Sequence, residues 1–262
     1  MSIGNGGFIG AAAAPTANAA SGIWTMPEVI NYRKTGSWPS PDDPYYANVG
    51  LLLHGNGTNG STTFTDNGPY AFTPFAFAGN VAISTAQSKF GGASMAFDGS
   101  GDYIQYSPNA IFAFPADFTV EMWVYFTSIV SAAGLFSVNT ENTGGWNGGA
   151  NGLALTPNAV FCGTINNAAF TSGATTGAWY HYAMTRSGSS VKVFVNGVTK
   201  YTGTDSSSIG SSTTAYPGVG LLDKYLGTYR LFHNGYIDDL RVTKGVARYT
   251  ADFSPPTTAF LP

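Results

Sequence analysis

The sequence has little charge, one cysteine and no long apolar run, and each shortage excludes a class of protein. Charged residues make up 10% of the 262 residues, and the net charge is −3, whereas typical soluble domains carry about 25% charged residues. A nucleic-acid-binding protein needs a basic face to neutralise phosphates, so we expect no nucleic-acid partner. Cys162 has no second cysteine to pair with, and its apolar neighbours predict a buried, unreactive thiol.

No stretch approaches the roughly 18 apolar residues of a membrane-spanning helix, and the N-terminus lacks the charged and apolar regions of a signal peptide. We therefore expect synthesis in the cytoplasm without a signal peptide and without membrane insertion. In place of charge the sequence has 34 glycines and 15% aromatic residues, together with many Ser, Thr and Asn residues. This composition is typical of tight turns, sheet surfaces and adaptable contact surfaces.

Residues 1–48 differ in composition from the rest of the chain and predict an attachment arm. Residues 1–22 are small and polar, so they cannot bury enough apolar surface to fold alone. Thr25-Met26-Pro27-Glu28 fits a capping box and predicts a short helix over 26–35. A helix of this length does not persist alone in water. Two alternatives stay open, docking onto a neighbouring subunit or packing on the chain's own sandwich, and the predicted contact residues are Trp24, Ile30 and Trp38.

From Val49 onward the sequence consists of short runs of β-favouring residues between turn-forming clusters, without a lasting helical period. The clearest strand is 118–126, in which both faces carry bulk, as in a central strand of a sandwich. Further strands are predicted at 179–186, at 236–243, and on both sides of Asn196-Gly197, a strong hairpin signal. Residues 49–262 therefore predict one all-β domain, a two-sheet antiparallel sandwich.

The order of short motifs adds a family resemblance over about 49–257. The motifs are Leu51-Leu52-Leu53-His54, Asp66-Asn67-Gly68, Lys89-Phe90-Gly91, Phe97-Asp98-Gly99, Phe118-Thr119-Val120-Glu121-Met122-Trp123-Val124, Trp179-Tyr180-His181-Tyr182-Ala183, Val193-Phe194-Val195-Asn196-Gly197 and Gly235-Tyr236-Ile237-Asp238-Asp239-Leu240-Arg241-Val242. In this order they resemble the laminin-G-like, concanavalin A-like jelly-roll superfamily. The resemblance implies a jelly-roll sandwich, here preceded by a short extended and helical N-terminal arm.

The arm carries a second resemblance. Ala20–Met26, continued to Ser37-Trp38-Pro39, is similar to short attachment segments of tailed-bacteriophage virion proteins, which often precede laminin-G-like domains. This resemblance implies a structural virion protein, capsid decoration or tail-fibre associated. It would contact other virion proteins through residues 1–48, form a homo-oligomer such as a trimer, and display the sandwich toward a host-surface glycan.

Relatives in the superfamily include glycosidases, but we expect no catalytic residues here. Glycoside hydrolysis needs two carboxyl groups facing one sugar. The chain has three glutamates, and Glu121 is alone on its strand, where hydrogen bonds to backbone or Tyr groups are expected. Asp238 and Asp239 are adjacent, so on a regular strand they would point to opposite faces. His181 is expected to fix sheet packing. A glycoside hydrolase with unusual carboxylates is kept as an alternative.

A cofactor is not required by any motif, although calcium is the metal to consider, because relatives of this fold bind it at the sandwich rim. Calcium needs six to eight oxygen ligands, and Asp66, Asp98 and Asp238 fall in or beside predicted loops. The alternative is that each aspartate caps its own turn.

Two segments have the residues of a glycan-binding loop, since an aromatic ring and planar hydrogen-bonding groups occur together in each. One contains Trp146 with Asn142 and Asn147, and the other contains Tyr225 and Tyr229. Trp146 could instead anchor its own glycine-rich loop by packing under it. A free carbohydrate-binding lectin module is the other alternative function.

Overall fold

The computed structural model describes residues 25, 27–28, 43–140, 152–210, 215–225 and 228–261. The chain divides into two compact units, residues 1–44 with Leu261, and Tyr45–Phe260 with Pro262. In the first unit, the backbone N–H and the hydroxyl of Thr25 donate to the Glu28 carboxylate at 2.8 and 2.7 Å, and Pro27 and Glu28 are helical. The half of the capping box in which Glu28 accepts the Thr25 N–H is thus formed, whereas the Thr25 hydroxyl donates to the same carboxylate. The rest of the predicted helix 26–35, with Trp24, Ile30 and Trp38, lies outside the described residues.

The second unit consists of strands joined by loops. The strands are β1 (Val49–Leu53), β2 (Ala76–Ala78), β3 (Ala82–Ser84), β4 (Ser94–Asp98), β5 (Tyr103–Gln105), β6 (Phe118–Phe126), β7 (Phe136–Thr140), β8 (Leu153–Leu155), β9 (Ala159–Cys162), β10 (Ile165–Ala169), β11 (Trp179–Ser187), β12 (Ser190–Val195), β13 (Val198–Thr204), β14 (Ala215–Val219), β15 (Leu221–Tyr225), β16 (Thr228–Phe232) and β17 (Asn234–Lys244). Two short 3-10 helices cover Tyr46–Asn48 and Ala110–Phe112. In the described part of the chain, no helix has the length and apolarity needed to cross a membrane.

The strands form two large antiparallel sheets. Sheet I has the order β13-β12-β11-β6-β17-β4-β3, and β1 pairs with the second half of β17; sheet II has the order β10-β9-β8-β7-β14-β5-β2. A separate hairpin, β15–β16, follows β14. The predicted two-sheet antiparallel sandwich is therefore confirmed.

The core lies between the two sheets because their strands alternate apolar and polar residues. β6 spans the predicted 118–126, and its inner residues Phe118, Val120, Met122, Val124 and Phe126 are fully buried. Sheet II contributes Ile104, Phe136, Val138, Leu155, Val160 and Val219 from the other side. Cys162 belongs to the same cluster, and burial raises the pKa of its thiol to about 12, so the predicted buried thiol is confirmed.

The hairpin between β12 and β13 has the predicted turn. Asn196 and Gly197 both have positive φ, 50° and 74°, as a two-residue type I′ turn requires. A Cβ atom on Gly197 would lie 1.8 Å from the Phe253 carbonyl oxygen. Glycine is therefore needed here for the backbone angle and also for the close approach of the C-terminal segment.

The C-terminal segment 245–260 covers one end of the outer face of sheet I. The rings of Tyr249 and Phe253 stack with centroids 3.6 Å apart, and the Phe253 N–H donates to the Gly197 carbonyl at 2.9 Å. Phe260 packs with Val49 and Leu52 of β1. At this end of sheet I the outward residues Glu121, His181 and Trp123 are therefore buried.

Glu121 is a buried charged residue beneath the C-terminal segment. Its Oε1 accepts two hydrogen bonds from the Arg241 guanidinium, at 2.8 and 3.0 Å, and its Oε2 accepts one from the Tyr249 hydroxyl at 2.8 Å. The His181 Nε2 lies 3.3 Å from Oε2. Burial alone would raise the pKa of Glu121, but the charges of Arg241, His181 and Arg248 outweigh it and lower the pKa to about 2. The expected Tyr partner is confirmed.

A β-bulge in β17 places Asp238 and Asp239 on the same side of sheet I. The register with β6 shifts between Asp238 and Arg241, and Asp239 has φ 49°. Asp238 Oδ2 accepts the N–H groups of Lys89 and Phe90. Asp239 accepts the Phe260 N–H and lies 2.6 Å from His54 Nδ1. The expectation that these aspartates point to opposite faces is wrong, because it assumed a regular strand and the bulge adds one residue.

Replacing Glu121 with Ala should destabilise the protein by about 3–5 kcal/mol, because Arg241 would keep a buried charge without its partner. Glu121→Leu combined with Arg241→Met should cost much less, since both charges leave together. The measurement is the free energy of unfolding in urea. Equal losses in the single and double variants would contradict this role of the pair.

Asp238 should make stability fall as pH rises from about 4 to 7. Burial, opposed by its backbone hydrogen bonds and reinforced by Asp239, raises its pKa to about 7. The folded state then holds a proton that the unfolded state has lost, so the free energy of unfolding falls by up to about 1.4 kcal/mol per pH unit. Asp238→Asn should therefore gain stability relative to the unmodified protein across this range.

Burial lowers the pKa of His233 to about 4, so His233 makes the free energy of unfolding rise with pH. This contribution is the same in both proteins and cancels in the difference between them. A difference that does not change with pH would refute the prediction.

Candidate functional site

The end of the outer face of sheet I that segment 245–260 leaves uncovered carries a row of three aromatic rings. Tyr236 of β17, Tyr125 of β6 and Trp179 of β11 are direct neighbours in the strand register. Their ring centroids are 5.7 Å apart for Tyr236–Tyr125 and 5.6 Å apart for Tyr125–Trp179. All three are partly exposed. We call these three residues the aromatic row.

The next rank of side chains along the same strands is covered, in contrast to the aromatic row. Trp123 and His181 follow Tyr125 and Trp179 on the same face, and both are buried. The Lys89 ammonium lies 3.8 Å from the centroid of the Trp123 ring, and Phe90 meets that ring edge-on. The buried part of the outer face of sheet I thus ends between Trp123 and Tyr125.

A polar cleft of about 300 Å³ adjoins the row at Tyr236. It lies where β4 ends and β17 begins, since Asp98 and Asn234 are paired there. The lining residues are Asn80, Ala96, Phe97, Asp98, Asp102, Thr127, Asn234 and Tyr236. Carboxylate, amide and hydroxyl groups therefore surround a space next to an exposed ring, and no Lys or Arg is among the described residues that line it.

Asp102 holds the floor of this cleft in place. It is 1% exposed, and its two oxygens accept the N–H groups of Asn80 and Asp98 at 2.8 and 2.7 Å. Burial and the charge of Asp98 together raise the pKa of Asp102 against those hydrogen bonds. Asp98 itself is exposed, and one of its oxygens accepts the Ser100 N–H. Of the two aspartates, Asp98 is thus the more exposed.

The three aspartates considered for calcium lie in different environments. Asp66 accepts the N–H groups of Leu52, Gly68 and Phe72 at 2.8–2.9 Å, which is the turn-capping alternative. Asp98 lines the cleft, and Asp238 is buried beneath Lys89 and Phe90. In the described ranges, no group of three or more His, Cys, Asp or Glu side chains could hold a metal ion.

The two predicted glycan loops fall elsewhere. Asn142, Trp146 and Asn147 lie outside the described residues, as do residues 226–227. Tyr225 and Tyr229 belong to the β15–β16 hairpin rather than to a loop, and the register pairs them with Thr228 and Lys224.

This hairpin lies over the outer face of sheet II. Leu222 of β15 packs with Ala154, Ala159 and Phe161, with Leu231 against them, and Phe232 stacks on Tyr103 of β5. The equivalent face of sheet II is therefore partly covered by protein.

Sequence reasoning missed the aromatic row, although one signal for it was present. Alternation in the predicted strand 118–126 places Tyr125 on the face opposite Phe118 and Val120. The predicted strands 179–186 and 236–243 also begin with aromatic residues, Trp179 and Tyr236. These two residues and Tyr125 were therefore candidates for a shared aromatic surface. Which strands are neighbours in the sheet could not be read from spacing, because β6, β11 and β17 are far apart in sequence.

Comparisons with known proteins agree with the fold. Domain 4 of AbnA, a GH43 extracellular arabinanase from Geobacillus stearothermophilus in complex with arabinotriose, is similar at 18% identity and a TM-score of 0.57, covering 76% of this chain and 93% of that domain. Trypanosoma rangeli sialidase in complex with 2,3-difluorosialic acid is similar at 14% identity and a TM-score of 0.51, covering 80% of this chain and 32% of the sialidase. This chain therefore spans about a third of the sialidase. No protein of curated function matches the sequence.

The sequence profile of a laminin-G domain family, described as the concanavalin A-like lectin/glucanases superfamily, matches residues 98–248. The match covers more than half of the chain and contains β5 to β17, including every member of the aromatic row. The chain belongs to the concanavalin A-like lectin/glucanase superfamily.

Proposed function

We propose that this chain is a non-catalytic carbohydrate-binding protein whose glycan site is the aromatic row together with the adjoining polar cleft. The observation that carries the proposal is the juxtaposition of Trp179, Tyr125 and Tyr236 in one rank beside a cleft of carboxylate, amide and hydroxyl groups. A sugar has an apolar face that can lie on an aromatic ring and hydroxyl groups that need directed partners. The site offers both kinds of contact on rigid strands.

The structural relatives support a sugar as the class of ligand. The arabinanase domain was solved with arabinotriose bound, and it is a domain of a carbohydrate-active enzyme. At 18% identity, the similarity to this domain shows the fold and not the position of a binding site. The location proposed for the site therefore depends on the aromatic row of this chain.

The absence of catalysis is proposed from the burial of the carboxylates. Glu121, Asp238 and Asp239 are all 0% exposed and are held by protein groups, so a sugar cannot reach them. Asp102 lines the cleft, but its oxygens accept two backbone N–H groups. Asp98 is then the accessible carboxylate of the cleft, whereas hydrolysis by either common mechanism needs two that face one sugar.

We further propose that residues 1–48 attach this sandwich to a tailed-bacteriophage virion, so that the glycan site faces the host surface. The support is the likeness of Ala20–Met26 and Ser37–Pro39 to phage attachment segments, and the hydrogen bonds from Thr25 to the Glu28 carboxylate. An arm too polar to fold alone would be ordered by the surface that it binds.

Replacing Tyr125 or Trp179 with Ala should weaken oligosaccharide binding at least tenfold, equivalent to about 1.4 kcal/mol, because the ring under the sugar is lost. Tyr70→Ala is the matched control, since Tyr70 is 48% exposed and lies outside the row. Binding is measured by titration calorimetry with a panel of neutral hexasaccharides, and folding is checked by thermal unfolding. The proposal is wrong if Tyr125→Ala and Tyr70→Ala bind alike.

Removing residues 1–44 should abolish incorporation into phage particles while the sandwich, which begins at Tyr45, keeps its unfolding temperature. The measurement is the amount of the protein in purified particles by quantitative mass spectrometry. Normal incorporation of the shortened chain would rule out the docking role of the arm.

A further inference from the structure

We infer that the β2 edge of sheet II is the surface at which a second copy of this chain docks, about a two-fold axis. The surface consists of Tyr70, Phe75 and Phe77, in the loop before β2 and on β2 itself, and we call these three residues the edge patch. The inference goes beyond the proposed function and does not depend on it, because the proposed glycan site lies on the outer face of sheet I.

The edge patch concentrates exposed apolar surface in a short segment. Tyr70, Phe75 and Phe77 are 48%, 62% and 48% exposed, and they are three of the six large apolar residues that are exposed in the described part of the chain. Single exposed apolar residues are normal on a protein surface, whereas a group of them marks an interaction site. Aromatic residues are also enriched in protein interfaces. Residues 70–77 are therefore a candidate interface.

Neighbouring rings hold the two phenylalanines in place. Phe77 meets Phe64 of the core edge-on, with centroids 5.9 Å apart. Phe75 lies 6.3 Å from Tyr216 of β14, also between ring centroids. Because these rings are already positioned by the sandwich, they lose little conformational freedom when a partner covers them.

The patch lies where both sheets end. β2 is the last strand of sheet II, and β3, which follows it along the chain, is the last strand of sheet I. Edge strands are commonly protected by charged side chains, above all Lys. The far edge of sheet I fits this rule, since β13 carries the exposed Lys200, whereas β2 and β3 have the sequences Ala-Phe-Ala and Ala-Ile-Ser. Both strands are short, so we expect contact through side chains rather than through strand pairing.

The surroundings of the patch are free of charge. Residues 67–88 contain no Asp, Glu, Lys, Arg or His. The same is true of every strand of sheet II, namely β2, β5, β7, β8, β9, β10 and β14. Sheet I differs, because β17 alone contains both acidic and basic residues. The edge patch is thus an apolar surface on the uncharged side of the sandwich.

This lack of charge favours a second copy as the occupant. A two-fold interface brings the same surface of both subunits together, so the surface must be complementary to itself. An uncharged patch meets its own copy without like-charge repulsion, whereas the β13 edge would bring Lys200 toward Lys200. Homodimer interfaces are also more apolar than interfaces between different proteins. The resemblance of the arm implied a homo-oligomer without indicating its surface.

The test is the mass of the intact protein by sedimentation equilibrium over a hundredfold range of concentration. We expect a dimer that dissociates on dilution. Phe75→Lys should raise the dimer dissociation constant at least tenfold, because two ammonium groups would then meet across the axis. Val198→Lys is the matched control, since Val198 is 48% exposed but lies on β13; it should leave the constant unchanged. Thermal unfolding checks that both variants fold.

A charge swap tests whether the patch meets its own copy. Phe75→Asp should also lose dimerisation when it is alone. A mixture of the Phe75→Lys and Phe75→Asp proteins should pair at least tenfold more tightly than either variant with itself, because opposite charges then face each other. A different partner protein would not produce this recovery.

Cross-linking supplies a measurement that needs no loss of association. The native Cys162 is buried, so Phe75→Cys adds an accessible thiol. Oxidation with copper phenanthroline should join two copies of this variant through a disulfide, and Val198→Cys should stay uncross-linked under the same conditions.

The contrary results are specific. An intact protein that is monomeric at every concentration overturns the inference, as does a Phe75→Lys protein that associates like the unmodified one. A trimer, or Lys and Asp variants that fail to pair with each other, overturns the two-fold arrangement. Phe75→Lys should bind glycans as the unmodified protein does, so failure here leaves the proposed function standing.

Discussion

The buried ion pair between Glu121 and Arg241 determines which part of the outer face of sheet I is covered by the C-terminal segment. A carboxylate in a dry environment is stable only when its oxygens are held by charged or hydrogen-bonding partners, and here Arg241 and the Tyr249 hydroxyl supply them. Because Tyr249 belongs to the C-terminal segment, satisfying Glu121 also fixes that segment on the sheet. The stacked ring of Phe253 and the approach of its carbonyl to Gly197 extend the cover.

The open end follows from the limits of this cover. Beyond Trp123 the next residues of the same strands, Tyr125, Trp179 and Tyr236, are partly exposed to solvent. Large aromatic side chains at the surface of a rigid sheet cost little entropy when they bind. One half of the outer face of the long central strands therefore stabilises the fold, and we propose that the other half presents its rings to a ligand.

Most of the fold could be predicted from the sequence, because alternation and turn chemistry are local. The limits of β6, the turn at Asn196-Gly197 and the two-sheet class all came from such local patterns. The site could not be predicted in the same way. The aromatic row depends on the register of three strands distant in sequence, and the placement of Asp239 depends on a bulge that alternation does not reveal. The loop around Trp146 was chosen from composition alone, which carries no information on neighbours in space.

The central claim is that the uncovered rings hold a glycan chain without cutting it. The most direct measurement is a crystal structure of the protein with the tightest-binding neutral hexasaccharide. We expect an intact chain lying across Trp179, Tyr125 and Tyr236, with its end in the cleft beside Asp98. A chain bound only on sheet II, or a chain cleaved in the cleft between Asp98 and Asp102, would contradict the claim.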